Sequence, residues 1–469
     1  MQSKPQIISP GIDWISIFVY LGLVFIGWLM VYSVYYSPED AYNFLDLSTE
    51  MGRQTLWVFI SIIAFVACLY LDWKFWNTFA IFFYAIGLIG LLLVLIYGKE
   101  VNGAKAWLQV GSYSFQPVEF AKLGTILALS SYLSFHKGDL KNSRSIWISA
   151  GIFVVPMILI LLQPDLGSAV VFLSFFIILY KKGLNPSYYV LAFILSAIFL
   201  LTLIYDSMTV LLIVSFVSYG IFLQSIGLNI RNILIFIATV IATLIIFKFL
   251  GIFYAYIPIG IALAICIFIL VKNRNFAIIG LILPAMVLAL VISYLTSYIF
   301  NQVLKPHQQE RINVWLRPDK CDPRGSLYNL RQSKMAIGSG GLEGKGFLNG
   351  DMAKLKYVPE QDTDFIFSII GEEQGFIGSI GIIFLFTLLV IRLIIIAERS
   401  RFEFIKVFVY GVAGFIFFHY FINIGMTMGV MPVIGIPLPF ISRGGTSLLI
   451  FSIMVGIALR MDLARQRGS

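Results

Sequence analysis

Residues 276–300 read F-A-I-I-G-L-I-L-P-A-M-V-L-A-L-V-I-S-Y-L-T-S-Y-I-F, twenty-five positions without one charged side chain. About twenty such residues cross the hydrocarbon of a bilayer as a helix, which keeps its own backbone hydrogen-bonded there. The run closes a dense block in which Tyr188–Tyr205, Met208–Ile226, Ile233–Phe249 and Ile252–Val271 precede it. Upstream lie Trp14–Tyr32, Leu56–Leu71, Phe75–Tyr97, Val118–Phe135, Ile146–Leu162 and Ser168–Tyr180. Downstream come Asp364–Ile396, Phe402–Phe421 and Ile441–Leu459. These fourteen candidate spans run through 469 residues, of which 59% are hydrophobic and 12% charged. A mean hydropathy of +0.92 excludes an ordinary soluble protein. The expected fold is an all-α polytopic membrane bundle, with residues 1–469 forming one domain.

A net charge of +9 invites a nucleic-acid reading. The basic residues, however, sit in short turns beside apolar runs, where they set orientation. With a cytoplasmic N-terminus, inner turns carry Lys74, then Lys137, Lys141 and Arg144, then Lys181 and Lys182. Arg231, Lys272, Arg274, Arg399, Arg401, Lys406, Arg460, Arg465 and Arg467 continue the pattern, while the first outer loop holds Glu39, Asp40 and Asp46. Both termini are then cytoplasmic. Lys99–Pro117, the long polar loop after residue 300 and Met428–Gly445 all face outward. Met1–Pro10 is short and polar, so no cleavable signal is expected. Cys68 and Cys266 lie in apolar runs and read as small core hydrophobes, and no spacing suggests zinc or iron–sulfur ligation.

The outward segments hold the residues able to do chemistry. In V-N-G-A-K-A-W, Lys105 and Trp107 suit a headgroup-level anchor. Glu119 and Lys122, three apart on a helix, share a face and pair, either lining a functional cavity or forming a structural ion pair. In Q-P-D-L-G, Pro164 frees backbone groups that Gln163 or Asp165 can satisfy. The long loop carries Asp319 and, in the turn D-P-R-G, Asp322; either can present a rigid carboxylate. I-G-S-G-G-L-E-G-K-G, with Lys345, reads as a flexible loop or a phosphate cradle. P-E-Q-D-T-D-F brings Glu360, Asp362 and Asp364 back to the membrane, with Thr363 or Asp364 suited to cap the next helix. Glu372 and Glu373 are too many acids for a lipid-facing span and should face a polar cavity or a cation. The three prolines of residues 428–445 predict a broken element, and His419 suits a buried hydrogen bond better than a metal.

Taken in order, N-G-A-K-A-W, Q-P-V-E-F-A-K, Q-P-D-L-G, D-P-R-G, I-G-S-G-G-L-E-G-K-G, P-E-x-x-T-D-F-I-F, E-E-x-G and the P-L-P-F with S-x-G-G-x-S of Gly425–Ser447 resemble the SEDS family (shape, elongation, division and sporulation). The wording is closer to its elongation branch than to its division branch. The resemblance implies a peptidoglycan glycosyltransferase that polymerises lipid II at the outer face of the bacterial cytoplasmic membrane during elongation. It implies Asp322 as general base on the acceptor hydroxyl, with inversion at the donor carbon. Substrate contacts are implied for Lys105, Trp107, Glu119, Lys122, Lys345, Glu360 and Asp364. A divalent cation, magnesium or manganese, is implied without a clear ligand set. A class B penicillin-binding protein and other elongation proteins are implied as partners.

Lys105 stands where the family usually has Arg, Gln361-Asp362 where a pair often contains His, and Arg443 where Tyr is common. Against ten family spans the chain shows fourteen. The surplus of about four lies within 188–300, followed by an extracytoplasmic loop at 301–363. The rival reading is a lipid II flippase, and the third a membrane scaffold for cell-wall enzymes.

Overall fold

The computed structural model describes residues 11–464 except 37–45, 102, 111–112, 136–139, 141, 228, 275, 323–324 and 356. Asn102, Glu39, Asp40, Lys137, Lys141, Pro323, Arg324, Arg465 and Arg467, used above, lie outside the described residues. The chain divides into two compact units: Met1–Leu184 with Cys321–Ser469, and Asn185–Lys320. It is a polytopic helical membrane protein. Among the described residues twelve helices are long and apolar enough to cross a bilayer, and the less apolar Pro117–Phe135 and the broken segment Leu166–Lys181 bring the candidates to fourteen.

In the first unit, α1 (Trp14–Tyr35), α2 (Glu50–Tyr70), the short α3 (Trp73–Thr78) and α4 (Ala80–Tyr97) come first. The segment after α4, read as a loop, is instead a three-stranded antiparallel sheet, β1 (Lys99–Val101), β2 (Ala104–Val110) and β3 (Tyr113–Phe115). Alternating side chains around Gly103, at φ +83°, let it fold back tightly, pairing Glu100 with Lys105 and Lys99 with Trp107. Then come α5 (Pro117–Phe135), α6 (Ser143–Leu161), α7 (Leu166–Val171) and α8 (Phe175–Lys181). Small polar residues start several helices: Thr49 accepts from Gly52 N, Asn142 from Arg144 N and Asp165 from Ser168 N.

The second unit holds α9 (Pro186–Ile204), α10 (Ser207–Ile226), α11 (Ile230–Leu250), α12 (Ile252–Lys272), α13 (Phe276–Tyr298) and the polar α14 (Pro306–Leu316). Asn185 and Asp206 cap α9 and α10, and Gly227 and Gly251 adopt positive φ where the chain turns between spans. Tyr219, Phe222 and Leu223 pack against Ile259, Cys266, Leu270 and Ile282. Hydroxyls tie α9 to α13, with Thr202 Oγ1 3.1 Å from Ser293 Oγ. Most other side chains of α11 face outward, as lipid-facing surface does. Cys266, like Cys68 in the first unit, is a buried core residue, as expected.

The first unit resumes with α15 (Ser326–Ser339), α16 (Asp351–Lys354), α17 (Ile366–Arg399), α18 (Glu403–Thr427) and α19 (Gly445–Ala464). The central helices α18 and α19 are buried over about four-fifths of their most apolar stretches, at 83% and 78%. They meet α5 and α2, and α5 brings Glu119 and Lys122 into this enclosed part of the bundle.

Candidate active site

Two helices of the first unit are broken, and the breaks build the site. At Gly375 the backbone of α17 turns to φ +64°, freeing the carbonyls of Glu372 and Glu373 and the amides beyond. The glycine-rich loop plugs this gap in both directions. Lys345 N and Gly346 N donate to Glu372 O (3.0 Å) and Glu373 O (2.9 Å), while Phe376 N and Ile377 N donate to Gly341 O (2.9 Å) and Leu342 O (3.2 Å). Only glycine permits such an approach: a Cβ on Gly340 would lie 2.0 Å from Gly371 O, and one on Gly344 2.1 Å from Glu373 O. The phosphate-cradle expectation is therefore corrected, because these amides are spent on a helix break that would otherwise strand polar groups at membrane depth. Nor is the segment a flexible loop, since it is preceded by α15 and locked to α17.

The acids of this region are engaged rather than lining an open cavity. Glu372 is buried and accepts from Lys345 Nζ (2.7 Å), Met352 N (3.0 Å) and Ala353 N (3.2 Å). Lys345 also binds Asp351 Oδ2 at 2.9 Å, so its ammonium clasps two carboxylates and shapes the loop. That clasp raises Lys345 above its ordinary range, through Glu372 first and then Asp351, and lowers Asp351 below its own through Lys345. Glu373 is buried, with one oxygen taking the Ser33 hydroxyl and Oε2 lacking a partner.

The second break is the irregular stretch between α18 and α19, expected from its prolines. His419 Nδ1 lies 3.3 Å from Pro437 O, and Asn423 Nδ2 donates to Ile436 O (2.6 Å) and Asp364 O (2.8 Å). Gly27 and Gly167 give it room, since a Cβ on Gly27 would lie 2.3 Å from Phe440 O. His419 also faces Lys122: Lys122 Nζ is 2.8 Å from Glu119 Oε1 and 3.0 Å from His419 Nε2, with all three residues buried. Glu119 Oε2 has no hydrogen-bond partner among the described residues. A buried pair of this kind gains geometry rather than stability, because desolvation offsets much of its attraction.

Lys105 caps the last turn of α4, with Nζ 2.9 Å from Leu95 O and 3.0 Å from Ile96 O. A cation there meets the negative end of the helix dipole. Trp107 is half-buried on β2. Gln163 Nε2 donates to Leu91 O (3.0 Å) and its carbonyl accepts from Lys105 N (3.1 Å), the polar-kink role weighed for it. Asp322 is exposed just before α15, with its carbonyl accepting from Gly325 N at 3.2 Å. Asp319 falls in the other unit, in a single 3-10 turn at Pro318–Lys320. Glu360 is exposed in a left-handed conformation, φ +56°, and Asp364 lies against Gly435. The expected cap by Thr363 or Asp364 is corrected. Phe365 occupies the N-cap of α17 with no side-chain bond, and Thr363 Oγ1 turns back to Glu360 Oε2 at 3.0 Å.

Sequence reasoning missed Tyr35, Glu50 and Ser33. Each is an ordinary helix-end polar residue with a partner far along the chain (Asp362, Arg443 and Glu373 respectively), which no local spacing marks. Among the described residues no group of three His, Cys, Asp or Glu side chains converges as a metal centre built from protein alone requires.

The contacts between α1, α2, α4, α5, α17, α18 and α19 bring Lys105, Glu119, Lys122, Glu372 and Glu373 to one end of the first unit's spans. At the opposite end, Arg392 and Arg399 meet Asp13 (2.8 and 4.0 Å) and Lys181 meets Glu398 (2.6 Å). Fold and site together define a polytopic membrane protein with a polar, one-sided working face built on broken helices. The family model for FtsW, RodA and SpoVE cell-cycle proteins matches residues 13–221 and 229–467, and the chain belongs to that family. It is 32% identical to the peptidoglycan glycosyltransferase RodA of Treponema pallidum (strain Nichols), covering 97% of this chain and 98% of that protein. It is 28% identical to the peptidoglycan glycosyltransferase MrdB of Escherichia coli (strain K12), covering 89% and 86%. A chain of a solved peptidoglycan synthase complex superposes with a TM-score of 0.62 at 24% identity, covering 97% of this chain and 99% of that one. RodA of Thermus thermophilus gives 0.56 at 22%, covering 97% and 98%. These structural likenesses are likenesses of fold.

Proposed function

We propose that this chain is a peptidoglycan glycosyltransferase that polymerises lipid II into glycan strands at the outer face of the cytoplasmic membrane during elongation. The observation carrying this reading is the one-sided face just described, where a disaccharide on a lipid diphosphate presents its scissile bond at the membrane–water boundary. The relatives are named as glycosyltransferases, and lipid transport is not favoured.

Asp322 takes the proton of the acceptor 4-hydroxyl as that oxygen attacks the donor anomeric carbon. The C–O bond to the diphosphate breaks, the carbon inverts, and the lipid diphosphate leaves as an anion. A positioned base contributes about 10²–10⁴-fold. Lys105 and Lys122 supply positive charge toward the leaving group, Glu119 orients Lys122, Trp107 offers a sugar-stacking face, and Glu360 and Asp364 accept from sugar hydroxyls. Lys345 acts on substrate only through the loop it shapes. A magnesium or manganese ion enters this reading as a companion of the diphosphate, since the described side chains do not build its site. Both termini are cytoplasmic on this reading. One structural neighbour couples polymerisation to crosslinking; by analogy the partner here is a class B penicillin-binding protein, with other elongation proteins around it.

Purified protein in vesicles containing lipid II, assayed with and without that partner and with EDTA, tests the reading. Wild type should form polymer and Asp322→Asn should lose it by at least a hundredfold. Polymerisation by the Asn variant at wild-type rate would remove Asp322 from its role, and labelled lipid II crossing the bilayer without polymer would restore the transport reading.

A further inference from the structure

The segment before α17 is gripped residue by residue from four directions. Gln361 Nε2 donates to Ala353 O (2.9 Å), Ser442 Oγ to Thr363 O (2.6 Å), and Asn423 Nδ2 to Asp364 O (2.8 Å). Asp362 is the centre of the grip. Its carboxylate takes the Tyr35 hydroxyl at 2.6 Å and lies 2.5 Å from Arg443 Nε, while its carbonyl accepts from Arg443 N at 2.7 Å. Arg443 reaches on to Glu50, which also holds Arg53 at 2.6 Å, and its guanidinium lies 5.9 Å from the centre of the Tyr35 ring. Two cations and two carboxylates thus tie α1, α2 and both broken elements together with balanced charge.

Next to this grip stands Glu360, a non-glycine residue at φ +56° whose carbonyl accepts from Thr363 N (3.2 Å) and Phe365 N (3.1 Å). A left-handed backbone at a residue other than glycine is strained and persists only where its surroundings over-determine it. Partly buried ion pairs add little net stability, so a network of this size is better explained by the geometry it fixes.

We propose that Arg443 is a positioning residue. Through Asp362 it holds the turn at residues 360–365, keeping Glu360 left-handed and its carboxylate presented outward to the substrate. The kinetic consequence rests on the glycosyltransferase reading; the structural one does not. In Arg443→Met, amide exchange at Thr363 and Phe365 should quicken at least tenfold, and KM for lipid II should rise about tenfold with a smaller change in kcat. Arg443→Lys should recover to within about threefold, and Arg443→Met with Asp362→Asn should be no worse than the worse single change, as for groups acting as a unit. Lys181→Met, whose partner Glu398 lies at the opposite end of the spans, should leave both readouts unchanged. A loss of thermal stability in Arg443→Met, with exchange and KM at wild-type values, would overturn the proposal. If the wild type fails to polymerise lipid II, the glycosyltransferase reading falls, and the exchange comparison alone decides whether the grip exists; Arg443→Lys carries it should the Met variant not fold.

Discussion

Lys122 shows how one side chain can be legible in sequence yet change meaning in the fold. Its spacing from Glu119 announces a pair, and the structure delivers it at 2.8 Å. The third member, His419, lies 297 positions away and is reached only because α18 packs on α5. Replacing Lys122 by Met leaves Glu119 buried without its cation, and removing one partner of a buried pair typically costs about 3–5 kcal/mol. The expected outcome is a large fall in the detergent-solubilised Tm that Glu119→Gln in the same chain partly restores. Lys345 behaves differently because it is partly exposed. Its raised value and the lowered value of Asp351 mean the clasp is intact between the two titrations. It is lost as pH falls through the depressed carboxylate or rises through the elevated ammonium. The Tm difference between wild type and Lys345→Met should therefore stay flat from about pH 5 to pH 9.

At the scale of elements, the break in α17 decides what the glycine-rich loop is for. Residues 366–399 look like one long span, and the sequence contains no proline to mark an interruption. The interruption appears only because Gly375 takes a positive φ and the loop at 341–346 supplies the missing partners. A side chain at Gly375 would be strained at φ +64° and would place its Cβ 2.3 Å from Gly344 N. Gly375→Ala should thus destabilise by more than the about 1–3 kcal/mol of strain alone, read as a lowered Tm with faster amide exchange at Lys345 and Gly346. Cap prediction failed at this same helix for a related reason. Thr363 and Asp364 have the right chemistry for an N-cap, but Thr363's hydroxyl serves the left-handed turn and Asp364 lies against Gly435.

For the whole molecule, the proposal that both termini are cytoplasmic rests on an even number of crossings. The native cysteines test the orientation, because Cys68 and Cys266 are buried and Cys321 is part-exposed beside Asp322. A membrane-impermeant maleimide should label Cys321 in intact spheroplasts, and labelling only after permeabilisation would invert the topology. The polar stretch read as one loop over 301–363 belongs to two units: α14 and Asp319 fall with the helices from Asn185 onward, and Asp322 with α15 to α19. No composition change marks that division, since both sides of Lys320 are equally polar.

The sequence by itself determined the membrane class, the spans and the breaks signalled by proline, and it proposed an orientation. Those are one-dimensional properties, fixed by hydrocarbon thickness, helical rise and the placement of basic turns. Only the tertiary structure decided which acids are spent on structure and which stay exposed. It showed that Glu372 and Lys345 close a helix break, that Lys105 caps α4, and that Asp362, Arg443, Tyr35 and Glu50 form one network. The reason is physical: a buried polar group must find a partner wherever packing brings one, and packing distance bears no relation to separation along the chain.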